Sequence, residues 1–146
     1  MGEIVPLKFG CQLSIKPKTY LTMSVIFHIT RSQQWEQAKQ VQSYRGDTLD
    51  SEGFIHCSTR PQVLKSANKF FVGQTGLLLL WIDSEKVESE IKYELAAGEN
   101  YPHIYGPLNV DAVLKVVEFE PAADGKFELP AELTASINEH SPGAVL

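Results

Sequence analysis

Apolar and polar residues alternate near the start of the chain. Val5, Leu7, Phe9, Cys11, Leu13 and Ile15 are separated by Pro6, Lys8, Gly10, Gln12 and Ser14, the period of a half-buried strand. A secretory leader would instead show a continuous apolar block of about 7–15 residues behind a basic start. The strongest strand opens just after Met23, with Val25, Phe27 and Ile29 on one face and Ile26, His28 and Thr30 on the other. A helix is expected next, capped by Ser32 and striped by Trp35, Ala38 and Val41. Gly53 opens a second strand that puts Phe54, His56 and Ser58 on a common face. Thr59-Arg60-Pro61-Gln62 has the form of a capping box, and Val63, Leu64, Ala67, Phe70 and Phe71 make the stripe of the helix behind it, ended by Gly73. Residues 77–82 are apolar on both faces, as in a central strand. Residues 91–94 predict a short strand and 112–120 a closing one. Tyr101-Pro102-His103-Ile104-Tyr105-Gly106-Pro107 reads as a proline-flanked turn of the kind that rims a cleft. Turn signals follow Pro121, with a short helix over 130–138.

Strands outnumber helices, so the fold class is α+β, and 146 residues make one domain. A chain of this size buries about 68–70% of its unfolded surface and needs neither disulfides nor a structural metal. The pattern divides it into an extension over 1–23, a core over 24–120 and a tail over 121–146. The extension is either an added edge strand or a disordered leader upstream of a start at Met23. Net charge is −5, which counts against a nucleic-acid partner, since such a partner calls for a basic face. The longest apolar run is far shorter than the roughly 20 residues of a membrane-spanning helix. Two cysteines, Cys11 and Cys57, are too few for a disulfide framework and fit reduced thiols in a cytoplasmic protein. The expected partner is a small molecule or a protein. The oligomeric state is left open.

His28, His56 and His103 each fall where geometry matters. Imidazole accepts, donates or ligates near neutral pH, so a cluster of three in one small domain points to a shared pocket. Glu94, at the end of a short strand, is the candidate acid. Arg45 is suited to pair a phosphate or carboxylate. His56-Cys57 is not a nucleophile with its base, because successive strand side chains point to opposite faces, and Cys57 fits a core thiol better. Neither G-x-G-x-x-G, a Walker lysine loop nor C-x-x-C occurs. A zinc centre of His28, His56 and His103 with Glu94 as base is an alternative, although no H-x-H or H-x-x-x-H pair supports it.

VIFHIT, the Trp-bearing helix, SYRGDTLDSEGFIHCST, QVLKSANKFF, LLLLWID, KYE and PHIYGPLNVDAVLKVV, in that order, resemble an uncharacterised bacterial family, domain of unknown function 952. The resemblance covers 24–120, and GFIHCS and PHIYGPL are its most specific parts. It implies an ADP-ribosyltransferase-like fold in which small antiparallel sheets with two flanking helices form a cleft for NAD. In that superfamily a His on the first strand holds a ribose hydroxyl, a Tyr stacks on nicotinamide and a Glu stabilises the oxocarbenium. His28 matches the first role and Glu94 the third; at the second, His56 stands in place of Tyr. The RNA-repairing phosphotransferase branch replaces the set with Arg and His. The expectation is thus an ADP-ribosyl- or phosphotransferase-like enzyme with NAD as cofactor. His28, His56 and Glu94 would be catalytic, and His28, Arg45, His56, Ser58, His103 and Tyr105 would bind the nucleotide, with no metal. A non-catalytic nucleotide- or small-molecule-sensing module is the alternative, and a metal-assisted hydrolase stands behind it.

Overall fold

The computed structural model describes residues 25–134; the expectations for 1–23, and for the helix beyond Thr134, lie outside the described residues. The first strand, β1 (Val25–Arg31), pairs antiparallel with β4 (Leu77–Asp83), which pairs on its other side with β8 (Val113–Phe119). The apolar run at 77–82 is therefore the middle strand, and both of its faces are covered. Ile26, Leu80 and Ile82 face a core that contains Trp35, Ala38 and Tyr44, while Phe27, Leu77, Leu79, Trp81, Val117 and Phe119 face a second core with Val63 and Ala67. Each fully buried side chain of this kind contributes about 1.5–3 kcal/mol. The second core also takes in Phe127 and Leu133 from beyond residue 120, and Asn68 ties Phe127 down through both of its backbone polar groups.

Helix α1 (Ser32–Val41) covers the first face. Its cap is Arg31, with no side-chain cap bond, and Ser32 is already the first helical residue. Trp35 and Ala38 are buried as the pattern requires, but Val41 is 71% exposed, because the helix ends there and Gln42 turns left-handed. Strand β2 (Ser43–Tyr44) then pairs with β7 (Leu108–Asn109), and a single turn of helix, α2 (Leu49–Glu52), leads into β3 (Ile55–His56). Gly53 is not the first residue of that strand. At φ 95° it closes α2 and reverses the chain, a conformation open to glycine at little cost. The capping box at Thr59 and Gln62 is formed, and it starts a 3₁₀ turn (Arg60–Gln62) that runs into α3 (Val63–Phe70). Val63 and Ala67 bury the expected stripe, whereas Phe70 is 64% exposed.

The second sheet, ordered β3–β6–β5, contains β5 (Glu90–Ala96) and β6 (Glu99–Tyr105). Residues 101–107 are thus mostly a central strand rather than a turn. Pro102 is tolerated there because a residue's N–H and C=O point to the same side in an antiparallel ladder. The Pro102 carbonyl accepts from Cys57 N, so the missing N–H lies on that side too, where the chain leaves β3 to bond Phe27 through Ser58. The pairing with β5 loses nothing. Ile55, Ile91 and Ile104 face the first core, and the alternate positions, His56, His103 and Lys92, share the opposite face. The described fold is α+β, with small antiparallel sheets.

Candidate functional site

The two larger sheets meet at one bridge, Phe27 to Ser58, and a cleft of about 630 Å³ opens beside it. That volume lies within the range of small-molecule sites. His28, His56, Ser58 and His103 all line it. His28 and His56 stand on different sheets and are not register partners; His56 pairs across strands with His103. Arg45 lies elsewhere, on Asp50 at 2.5 Å and half exposed. Glu94 and Tyr105 reach the cleft only through His103: Nδ1 of His103 donates to Glu94 Oε1 at 2.8 Å, and the Tyr105 hydroxyl donates to the same oxygen at 2.6 Å. These two donors, Tyr105 foremost, hold the Glu94 carboxyl below its ordinary pKa.

His28 is tied at both ring nitrogens. Nδ1 lies 2.5 Å from the His56 carbonyl, which can only accept, so Nδ1 carries a proton. Nε2 lies 2.7 Å from the Tyr44 hydroxyl. Beyond it runs a relay in which the Tyr44 and Thr30 hydroxyls lie 2.8 Å apart, Thr30 lies 3.1 Å from Gln34 Oε1, and Gln34 donates to Asp47 Oδ1 (2.6 Å), with Asp47 also paired to Arg31 at 3.0 Å. Followed back from Asp47, the relay asks Nε2 to donate as well, which would make His28 an imidazolium. Burial opposes this and is the larger effect: it takes the His28 pKa down from 6.5 to about 4, against the His56 carbonyl and Asp47, which raise it. At neutral pH Nε2 accepts from Tyr44, and the relay is one proton short at Thr30. The Tyr44 phenol is pushed above its ordinary value, chiefly by burial. With both nitrogens engaged, His28 is neither a free base nor a zinc ligand. Among the described residues no group of three His, Cys, Asp or Glu side chains is placed to hold a metal ion.

His56 presents a different environment. Its Nε2 bonds Glu52 Oε1 at 2.9 Å, and both side chains are about half exposed. Phe54 holds the imidazoles in place, stacked on His103 with centroids 4.2 Å apart and tilted against His56 at 4.8 Å. The two imidazoles meet edge to face at 5.2 Å. Across the cleft α3 contributes Lys65, Ser66 and Lys69. Lys65 pairs with Glu99, and Ser66 bonds the Ser58 hydroxyl at 3.0 Å. Cys57 is buried, and burial pushes its thiol well above the ordinary range, so it is no nucleophile.

The sequence profile described as "Protein of unknown function (DUF952)" matches residues 29–116, more than half of the chain. The chain belongs to the DUF952 family. The crystal structure of protein CC0527 from Caulobacter crescentus is 33% identical, over 75% of this chain and 98% of that one, with a TM-score of 0.69. The solution NMR structure of CC0527 gives 34% identity, coverages of 73% and 94%, and a TM-score of 0.64. No curated protein matches the chain. His56, Ser58 and His103 of the DUF952 cleft fall inside the matched span, and His28 stands one residue before it.

Sequence reasoning missed Tyr44, Thr30, Gln34 and Asp47, the relay behind His28, as well as Glu52 and Phe54. Glu52 had a signal, an acid four residues before His56 across a glycine turn. The relay had none, since its members meet only once α1 and β2 have packed on β1.

Proposed function

We propose that the DUF952 cleft binds a nucleotide, NAD or a related ADP-ribose-bearing molecule, on an ADP-ribosyltransferase-like arrangement of two antiparallel sheets. The observation that carries this is the make-up of the cleft wall. Phe71 and Tyr101 offer aromatic surface for a base, while Lys65, Lys69 and Ser66 on α3 offer charge and hydroxyl for phosphates. Lys65 and Lys69, four residues apart, share one face of the helix. His28, fully engaged, positions β1, β2 and β3 around the ligand, and His56 is left to touch it. When bound, NAD would supply a glycosidic bond and a pyrophosphate as reactive groups. Glu94 sits behind His103, so the carboxylate beside His56 in the cleft is Glu52.

Titration calorimetry of the full chain with NAD, ADP-ribose and AMP tests the reading. Saturable binding of at least one is expected, weakened about tenfold or more by Lys69→Glu. Absence of heat, and of any amide shift at cleft residues, with all three at millimolar concentration overturns it.

A further inference from the structure

We propose, building on the nucleotide reading above, that His56 and His103 form a general acid–base pair that hydrolyses a phosphodiester or pyrophosphate bond of the bound nucleotide. Three observations converge on it. The two imidazoles are direct cross-strand partners with ring centroids 5.2 Å apart, and both line the cleft. Each commits one nitrogen to a carboxylate, His56 Nε2 to Glu52 and His103 Nδ1 to Glu94. Among the described residues, neither His56 Nδ1 nor His103 Nε2 has a hydrogen-bond partner. A carboxylate-oriented imidazole with its second nitrogen free is the arrangement proton transfer needs, and two side by side supply a donor and an acceptor to one reacting centre. Lys69 completes the site for an anionic ester. It lines the cleft and, among the described residues, rests over the Phe70 ring without a carboxylate partner.

Exposure assigns the roles. His56, half exposed, meets water and is the base; His103, 5% exposed, clamped by Glu94 and stacked under Phe54, is the acid. His56 takes a proton from water as the water oxygen bonds to phosphorus. The bond from phosphorus to the leaving oxygen breaks, and that oxygen takes the proton from His103. His56 then returns its proton to solvent and His103 regains one, so each turnover consumes one water and needs no redox partner. Glu52, and Glu94 with Tyr105, are positioning residues that fix the rings. Ribosyl transfer would need a carboxylate free to face the sugar carbon. Among the described residues the three cleft carboxylates are each engaged, Asp47 by Arg31 and Gln34, Glu52 by His56, and Glu99 by Lys65 and Gln62.

The test incubates the full chain with NAD, with ADP-ribose, with a dinucleoside monophosphate and with bis(p-nitrophenyl) phosphate, identifies products by chromatography and phosphorus NMR, and measures nucleotide binding on the same samples by calorimetry. Cleavage at phosphorus is expected, giving mononucleotides. His56→Ala should lower the rate about 100-fold or more on every substrate. His103→Gln should do the same on the dinucleoside monophosphate, whose alkoxide must gain a proton as it leaves, but cost less than about tenfold on NAD, ADP-ribose and the p-nitrophenyl diester, whose leaving groups depart without one. His103→Ala is the second variant, and amide spectra check that both fold. Nucleotide binding without cleavage of any substrate overturns the proposal and spares the binding reading. So does release of nicotinamide in place of mononucleotides, or equal losses for both His103 variants on both kinds of leaving group. Absence of both binding and cleavage overturns the two together.

Discussion

Acidification should unfold this protein partly through one side chain. Native His28 has its pKa near 4 because burial disfavours the imidazolium, while in the unfolded chain it returns to about 6.5. Above that upper value neither state is protonated and the contribution to stability is constant. Between the two values the unfolded chain binds a proton that the native one refuses, so stability falls as pH falls. A gap of 2.5 pH units, at 1.36 kcal/mol each, corresponds to about 3 kcal/mol, most of it lost by about pH 4.5. Carboxylates titrate in the same window, so the measurement must be a difference. Urea unfolding of the wild type and of His28→Gln, followed by fluorescence of buried Trp35 and Trp81, is run from about pH 7.5 to about pH 4.5. The variant starts less stable, but its curve should fall by about 2–3 kcal/mol less than that of the wild type. Parallel curves would refute the reasoning. A wild type that gains on the variant as pH falls would show that the relay to Asp47 outweighs burial and holds His28 protonated.

Two other perturbations separate parts of the same structure. Tyr44→Phe keeps the ring that packs near Trp35 but removes the hydroxyl between His28 and Thr30, so it should cost about 1–3 kcal/mol in urea unfolding, the penalty of leaving buried partners unsatisfied. Gly53→Ala should cost about 1 kcal/mol in the same assay, purely for holding a side chain at φ 95°, since a Cβ there would meet nothing within 4 Å.

The fold was legible where burial decides. Residues 77–82 declared a strand covered on both faces, and Thr59 with Gln62 declared a helix start, because each signal depends on local chemistry alone. Val41 and Phe70 misled for a shared reason. Periodicity says which residues lie on one face, but not where the helix stops contacting the sheet, and both sit at the last residue of their helix. The strand through Pro102 was illegible for another reason. A proline counts against a central strand unless its missing donor falls on a side where the pairing ends, and that depends on β3 leaving the ladder after His56.

The same limit governs the site. Three histidines marked the cleft in the sequence, yet their different chemistry is set by what register and packing bring to each ring. His28 meets a carbonyl and a phenol and loses its capacity to act as a base. His56 and His103 meet carboxylates from opposite directions, Glu52 from the turn before β3 and Glu94 diagonally across the ladder from β5. A shift of one residue in the β5–β6 register would send Glu94 to the core face, turn Ile91 out of it and leave His103 unsupported. The β5–β6 pairing, which continues unbroken from Glu90 opposite Tyr105 to Ala96 opposite Glu99, therefore fixes the orientation of the buried imidazole as well as the sheet. Replacements along that ladder should disturb His103 before they unfold the domain.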